Sequence, residues 1–175
     1  MTTLDLKQIQ ISSAIDLFSK GEINQALDAV QDLLKDYPNE PVLFNIRGAC
    51  YADLGQLDVA VTNYKEAITI KPDYAKAHFN LAGSLHDLGQ LETAVQSYQK
   101  AIEIDASYTE AYNNLGNVYQ ELKQVDSAVQ SYKRALEIKP DYVAAQYSLG
   151  NTFMELGQLE EAVKSYKAAL KLKPD

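Results

Sequence analysis

The chain has 175 residues, 46% of them hydrophobic, so it has ample apolar surface to bury; its one cysteine, Cys50, excludes an internal disulfide. A net charge of −8 leaves no basic stripe for nucleic acid. No apolar run approaches the roughly 18 residues that span a bilayer, and the stretch from Met1 to Asp5 lacks the basic region and apolar core of a signal peptide, so no membrane and a cytoplasmic location are expected.

Ala26, Ala60, Ala94, Ala128 and Ala162 stand 34 residues apart and divide the chain into frames 7–40, 41–74, 75–108, 109–142 and 143–175. A fixed period of this size means stacked repeats, with function on a surface that several of them build. In the first frame Gly21 precedes the alanine and Pro38 follows it; residues 1–40 hold seven acids against three bases, which reads as a solvated end. The second frame shows helical spacing twice, at Leu43, Ile46, Tyr51 and Leu54 and then at Leu57, Ala60, Val61, Tyr64, Ala67 and Ile68. Gly55 falls where the first helix must stop and Pro72 where the second must. Cys50 lies among the apolar positions, as a small buried hydrophobe would.

The third frame keeps Gly89 and Tyr98 but has Ala106 at the proline position. His78 takes the aromatic position of Phe44 and Tyr112 and is expected to pack. His86 follows on the same helix, but eight residues turn it by about 80° beyond two full turns, so the two rings do not converge on a metal; His86 is placed on the groove side, to meet a ligand or water. The fourth frame carries Lys123 where the others have glycine; a left-handed backbone there would cost a lysine roughly 1–2 kcal/mol, unless the turn is remodelled. The fifth keeps Gly157, Tyr166 and Pro174, and residues 143–175 hold four acids and four bases.

Tyr112, Leu115, Gly116 and Tyr119, then Ala128 and Tyr132, then Pro140 form a phrase that resembles the tetratricopeptide repeat, aromatic-x2-Leu-Gly-x2-Tyr, Ala-x3-aromatic, Pro. Five copies in phase cover nearly the whole chain. The resemblance implies an all-α fold, a right-handed α-solenoid of antiparallel helix pairs with about ten helices, forming one domain over residues 1–175. It also implies that the small residues Ala14, Gly48, Ala82, Gly116 and Gly150 of each first helix face the recurring alanines.

In this family the first helix of each repeat lines a concave groove that receives an extended peptide or a partner helix. Carried over, that layout points Asn45, Phe79, Asn80, Asn113, Asn114, Asn117, Tyr147 and Asn151 inward. Asparagine is a mediocre helix former, so its repeated use inside helices asks for a reason; a carboxamide has both a donor and an acceptor for a peptide backbone. The series resembles the asparagine ladder of the O-linked N-acetylglucosamine transferase array, with Ser12, Ile46 and Ser148 as its other rungs. Capping or bonding between repeats is the alternative role for these asparagines. Asp53, Asp87, Glu121 and Glu155 form a second, acidic series, either a solvated face or a rim that favours a basic peptide. Asp58, Glu92, Asp126 and Glu160 are assigned to the first turns of the second helices, where they complement the helix dipole.

No catalytic motif, metal-ligand set or cofactor loop is present, so no enzyme activity and no cofactor are expected. Co-chaperones of this family grip chaperone tails with two lysines, an arginine and two asparagines. The matching positions here are Ile11, Ile15, Ile46, Lys76 and Asn80, or Asn45, Ala49, Asn80, Glu110 and Asn114, or Phe79, Gly83, Asn114, Ala144 and Ser148; none supplies the cations. Val163, Tyr166 and Leu170 on the last helix would lack a cover, which suggests self-association through this end or a segment cut from a longer protein. Three functions follow: a scaffold binding a protein or peptide in its groove, a self-association module, or a substrate-recruiting accessory domain of a larger bacterial transferase or oxygenase.

Overall fold

The computed structural model describes residues 3–173, with side chains from Leu6 onward. Ten helices and no strand occur among these residues, which is the expected all-α class. The chain forms two compact units, one up to Gln90 and one from Leu91. The first contains α1 (Thr3–Ser19), α2 (Ile23–Asp36), α3 (Pro41–Asp53), α4 (Leu57–Ile70) and α5 (Ala75–Asp87). The second contains α6 (Leu91–Ile104), α7 (Thr109–Glu121), α8 (Val125–Ile138), α9 (Val143–Glu155) and α10 (Leu159–Leu172).

Within each unit the helices alternate in direction because the connections are short, so α1, α3 and α5 run parallel, as do α7 and α9. Inside either unit, neighbours in sequence pack together, and so do α1 with α3, α3 with α5 and α7 with α9. The intervening helices behave differently. Among the described residues the backbones of α2 and α4 stay more than 8 Å apart, as do those of α6 and α8 and of α8 and α10. One face of each unit is therefore closed by the odd helices of α1 to α5, or by α7 and α9, and the opposite face is notched between the others.

The recurring residues do local work. Gly55 has φ 72°, and its N–H and that of Gln56 return to Ala52 O (2.9 Å) and Tyr51 O (2.8 Å), closing the end of α3. Lys123 makes the same turn with φ 61°, its N–H bonding Gln120 O at 3.0 Å and that of Gln124 bonding Tyr119 O at 2.8 Å. The turn is conserved in shape and the lysine accepts the strain. Pro41 occupies the first turn of α3, while Pro174 lies outside the described residues. Asp58, Glu92, Asp126 and Glu160 do fall in the first turns of α4, α6, α8 and α10.

The recurring alanines are fully buried, but the small residues of the partner helices have a different closest neighbour from the one expected. A Cβ on Gly48 would meet the Tyr64 ring at 2.7 Å, one on Gly116 the Tyr132 ring at 2.5 Å, and one on Gly150 the Tyr166 ring at 2.8 Å. Space opened by the missing side chain is taken by the tyrosine one turn beyond the alanine. In the first repeat Val30 stands at that tyrosine's position and Ala14 at the glycine's, both wholly buried.

Candidate functional site

In the first unit α1, α3 and α5 line a cavity of about 510 Å³. Ile15 and Phe18 of α1 and Ile46 and Ala49 of α3 form its apolar wall, and Asn45 and Asn80 its polar one. The Asn80 Nδ2 donates to Asn45 Oδ1 at 2.9 Å, a link between consecutive repeats. That bond leaves Asn45 Nδ2 and Asn80 Oδ1, a donor and an acceptor, on the same wall. Lys76, at the start of α5, and Asp53, at the end of α3, also line the cavity. Because α3 and α5 are parallel, these opposite charges stand at opposite ends of it. Phe79 is half-buried, with Lys76 Nζ 5.2 Å from its ring centre. Ile15, Ile46 and Ala49 stand at clamp or ladder positions in the sequence, whereas nothing in the sequence pattern marks Phe18; all four occupy first-helix positions of two successive frames.

Below the cavity the first unit is closed by buried groups. Tyr64 reaches its lining, and its hydroxyl is pushed well above the ordinary range by burial, then by the charges of Asp53 and Cys50, against a hydrogen bond with Ser84. Cys50 is fully buried, and burial together with Asp53 raises its thiol from 9.0 to about 11. It is the inert small hydrophobe expected. His78 is buried as well, its Nε2 3.0 Å from Pro72 O, while His86 is half-buried on α5.

In the second unit the asparagines are spent mainly on the protein itself. Asn117 Oδ1 accepts from the Tyr132 hydroxyl at 2.8 Å and Asn151 Oδ1 from the Tyr166 hydroxyl at 2.7 Å. Each therefore holds the ring that fills the gap beside Gly116 or Gly150. Asn113 Nδ2 donates to Asn114 Oδ1 at 3.2 Å, and Asn113 Oδ1 is buried without a protein partner. Asn113 and Ser148 occupy the positions that Asn45 and Asn80 hold two repeats earlier. A shorter serine thus stands where Asn80 supplies the cross-repeat bond, and Asn113 is turned to Asn114 instead.

Tyr147 is brought together with α10 and not with the asparagines. Its ring centre is 5.8 Å from that of Tyr166, and both line an apolar cavity of about 290 Å³ with Val143, Ala169 and Leu170. Leu170 is 60% and Val163 47% exposed, whereas Tyr166 is half-buried. Asp53, Asp87, Glu121 and Glu155 are all exposed. Among the described residues no cluster of three metal-ligating side chains occurs, and no helix is long and apolar enough to cross a membrane.

Residues 48–87 and 83–123 match the family model described as TPR repeat, and residues 109–142 and 143–175 the one described as Tetratricopeptide repeat. Among curated proteins, the chain is 27% identical over 84 residues to the peroxisomal targeting signal receptor of Saccharomyces cerevisiae, which is 48% of this chain and 14% of that protein. It is 36% identical over 59 residues to Hsp70-Hsp90 organizing protein 2 of Arabidopsis thaliana, 34% of this chain and 10% of that one. These matches thus take up a small part of each relative's length. Among solved structures, that of MamA superposes with a TM-score of 0.83 at 28% identity, covering 92% of this chain and 94% of the other.

Proposed function

Since the chain belongs to the tetratricopeptide repeat family, we propose that it is a non-enzymatic protein-interaction scaffold whose first-helix groove binds an extended or helical peptide segment. The observation that carries this reading is the cavity of about 510 Å³ in the first unit, where an apolar wall faces the Asn45–Asn80 carboxamide pair. An apolar ligand side chain fits against Ile15, Phe18 and Ile46, and the ligand's backbone amide pairs with the remaining carboxamide atoms. Asp53 at one end favours a basic residue on the ligand. In the second unit Asn114 is the remaining candidate, since Asn117 and Asn151 are committed to tyrosines.

Selection of peptides against the intact chain, followed by titration against Asn45→Ala plus Asn80→Ala, tests the assignment. The double variant is expected to weaken the selected peptides by about tenfold or more, as loss of buried hydrogen-bonding partners does. Unchanged affinity would place the binding site elsewhere. Exposed Val163 and Leu170 support a second reading, self-association through α10, and light scattering across a concentration series decides it. A monomer at every concentration removes that reading.

A further inference from the structure

In the second unit, the face opposite the one closed by α7 and α9 contains one notch that differs from its counterparts, and we propose that it is a second binding site, for an acidic partner segment that presents a large apolar side chain. The site lies between α8 and α10, over α9, with a volume of about 540 Å³. Its floor is Leu136, Leu149 and Phe153, and its rim carries Lys133 and Lys164.

Equivalent notches elsewhere are plugged by the protein's own polar side chains. In the first unit Arg47 stands at the register of Leu149; it lies 5.0 Å from the Phe44 ring centre and donates to the Asn63 carboxamide on α4. A second such cavity, of about 380 Å³, lies between α7 and α8, where Arg134 lines the wall beside Tyr112 and Tyr119 and bonds Glu137 at 2.7 Å, and Gln99 Nε2 of α6 donates to the Tyr119 hydroxyl at 2.9 Å. One repeat later every member of that plug is changed. Ala168 replaces Arg134, Gln146 replaces Tyr112, and Phe153 replaces Tyr119 without its hydroxyl. Lys133 replaces Gln99 and stands with its Nζ 6.0 Å from the Phe153 ring centre.

These changes together remove the internal filling and leave an apolar floor with cations above it. Glu161 on the same rim is 3.8 Å from Lys164 Nζ, so two lysines face one carboxylate there. In a chain of net charge −8 that local excess of positive charge selects an acidic partner. An aromatic or branched aliphatic side chain is the anchor that fills such a floor, in the manner of interface hot spots. Since α8, α9 and α10 form the notch, it is independent of the groove cavity in the first unit.

The test is titration of the intact chain, followed by amide NMR, with a capped pentapeptide that has phenylalanine between two aspartates on each side. Saturable shifts confined to amides around Leu149, Phe153 and Lys164 are expected. Ala168→Arg, which restores the plug, should weaken binding by about tenfold, and Lys133→Gln plus Lys164→Gln should weaken it and flatten its salt dependence. Asn45→Ala plus Asn80→Ala should leave it unchanged, which separates this site from the groove. The proposal is overturned by the absence of saturable shifts, by equal binding of a peptide with lysines in place of the aspartates, by indifference to Ala168→Arg, or by shifts that map to the groove.

Discussion

The Tyr132 ring occupies the space that a Cβ on Gly116 would need, and its hydroxyl is fastened 2.8 Å from Asn117 Oδ1 on the same helix as that glycine. One contact therefore joins a steric requirement to a polar one. Gly116→Ala would bring its new carbon to 2.5 Å from the ring and should destabilise the chain by about 1–3 kcal/mol. Tyr132→Phe removes the hydroxyl shared between Asn117 Oδ1 at 2.8 Å and Gln120 Oε1 at 3.2 Å and should cost about 1 kcal/mol. Urea denaturation of both variants measures the difference; a neutral Gly116→Ala would show that the ring can move aside.

Lys123 pays for its left-handed φ of 61°. Lys123→Gly should stabilise the second unit by about 1 kcal/mol, whereas Lys123→Val should lower the melting temperature. Thermal melts that rank valine above glycine would contradict a strained turn.

Alkaline pH should loosen the fold through groups that resist ionisation when buried. Cys50 is raised from 9.0 to about 11, and Tyr132 from 10.0 to about 12, chiefly by burial. A folded pKa above the unfolded one means that the stabilisation is complete below the unfolded value and is lost as pH rises through the folded one. Melting temperature should accordingly be flat near neutrality and fall from about pH 9 upward. At neutral pH the Cys50 thiol should ignore a thiol reagent until denaturant is added; rapid labelling of the native chain would refute its burial.

Peptides selected for the groove should bind more tightly at low salt when they carry a basic residue, because Asp53 is exposed at the cavity's end. Asp53→Asn should reduce that salt dependence with little effect on an uncharged peptide. A salt slope that survives the substitution would assign the attraction to other carboxylates.

The carboxylate-terminated tail of a heat-shock chaperone should not bind tightly, since Lys76 is the sole cation in any register of the clamp positions that includes one. A low-micromolar dissociation constant in calorimetry would overturn this.

Period, helix pairs, turn glycines and the burial of His78 and Cys50 were legible in the sequence because each depends on position within one frame. Site detail was less legible, for a physical reason. Asn45, Asn113 and Asn117 look alike as helical asparagines, yet their fates are set by side chains 15 to 35 residues away: Asn80 for the first, and Tyr132 for the last. Asn113 is set apart by what stands at 148, where serine falls short. Tyr147 shares the position of Asn45 but leans on Tyr166, an aromatic contact that no single-frame pattern announces.

Gly48 and Tyr64, Gly116 and Tyr132, and Gly150 and Tyr166 each belong to one frame, so both halves of this fit are copied whenever the stretch that encodes a frame is duplicated. The Asn45–Asn80 bond has its halves in neighbouring frames and is dissolved or remade when a copy is inserted between them. Lengthening such a gene thus preserves how each hairpin closes while redrawing what its inner face can recognise.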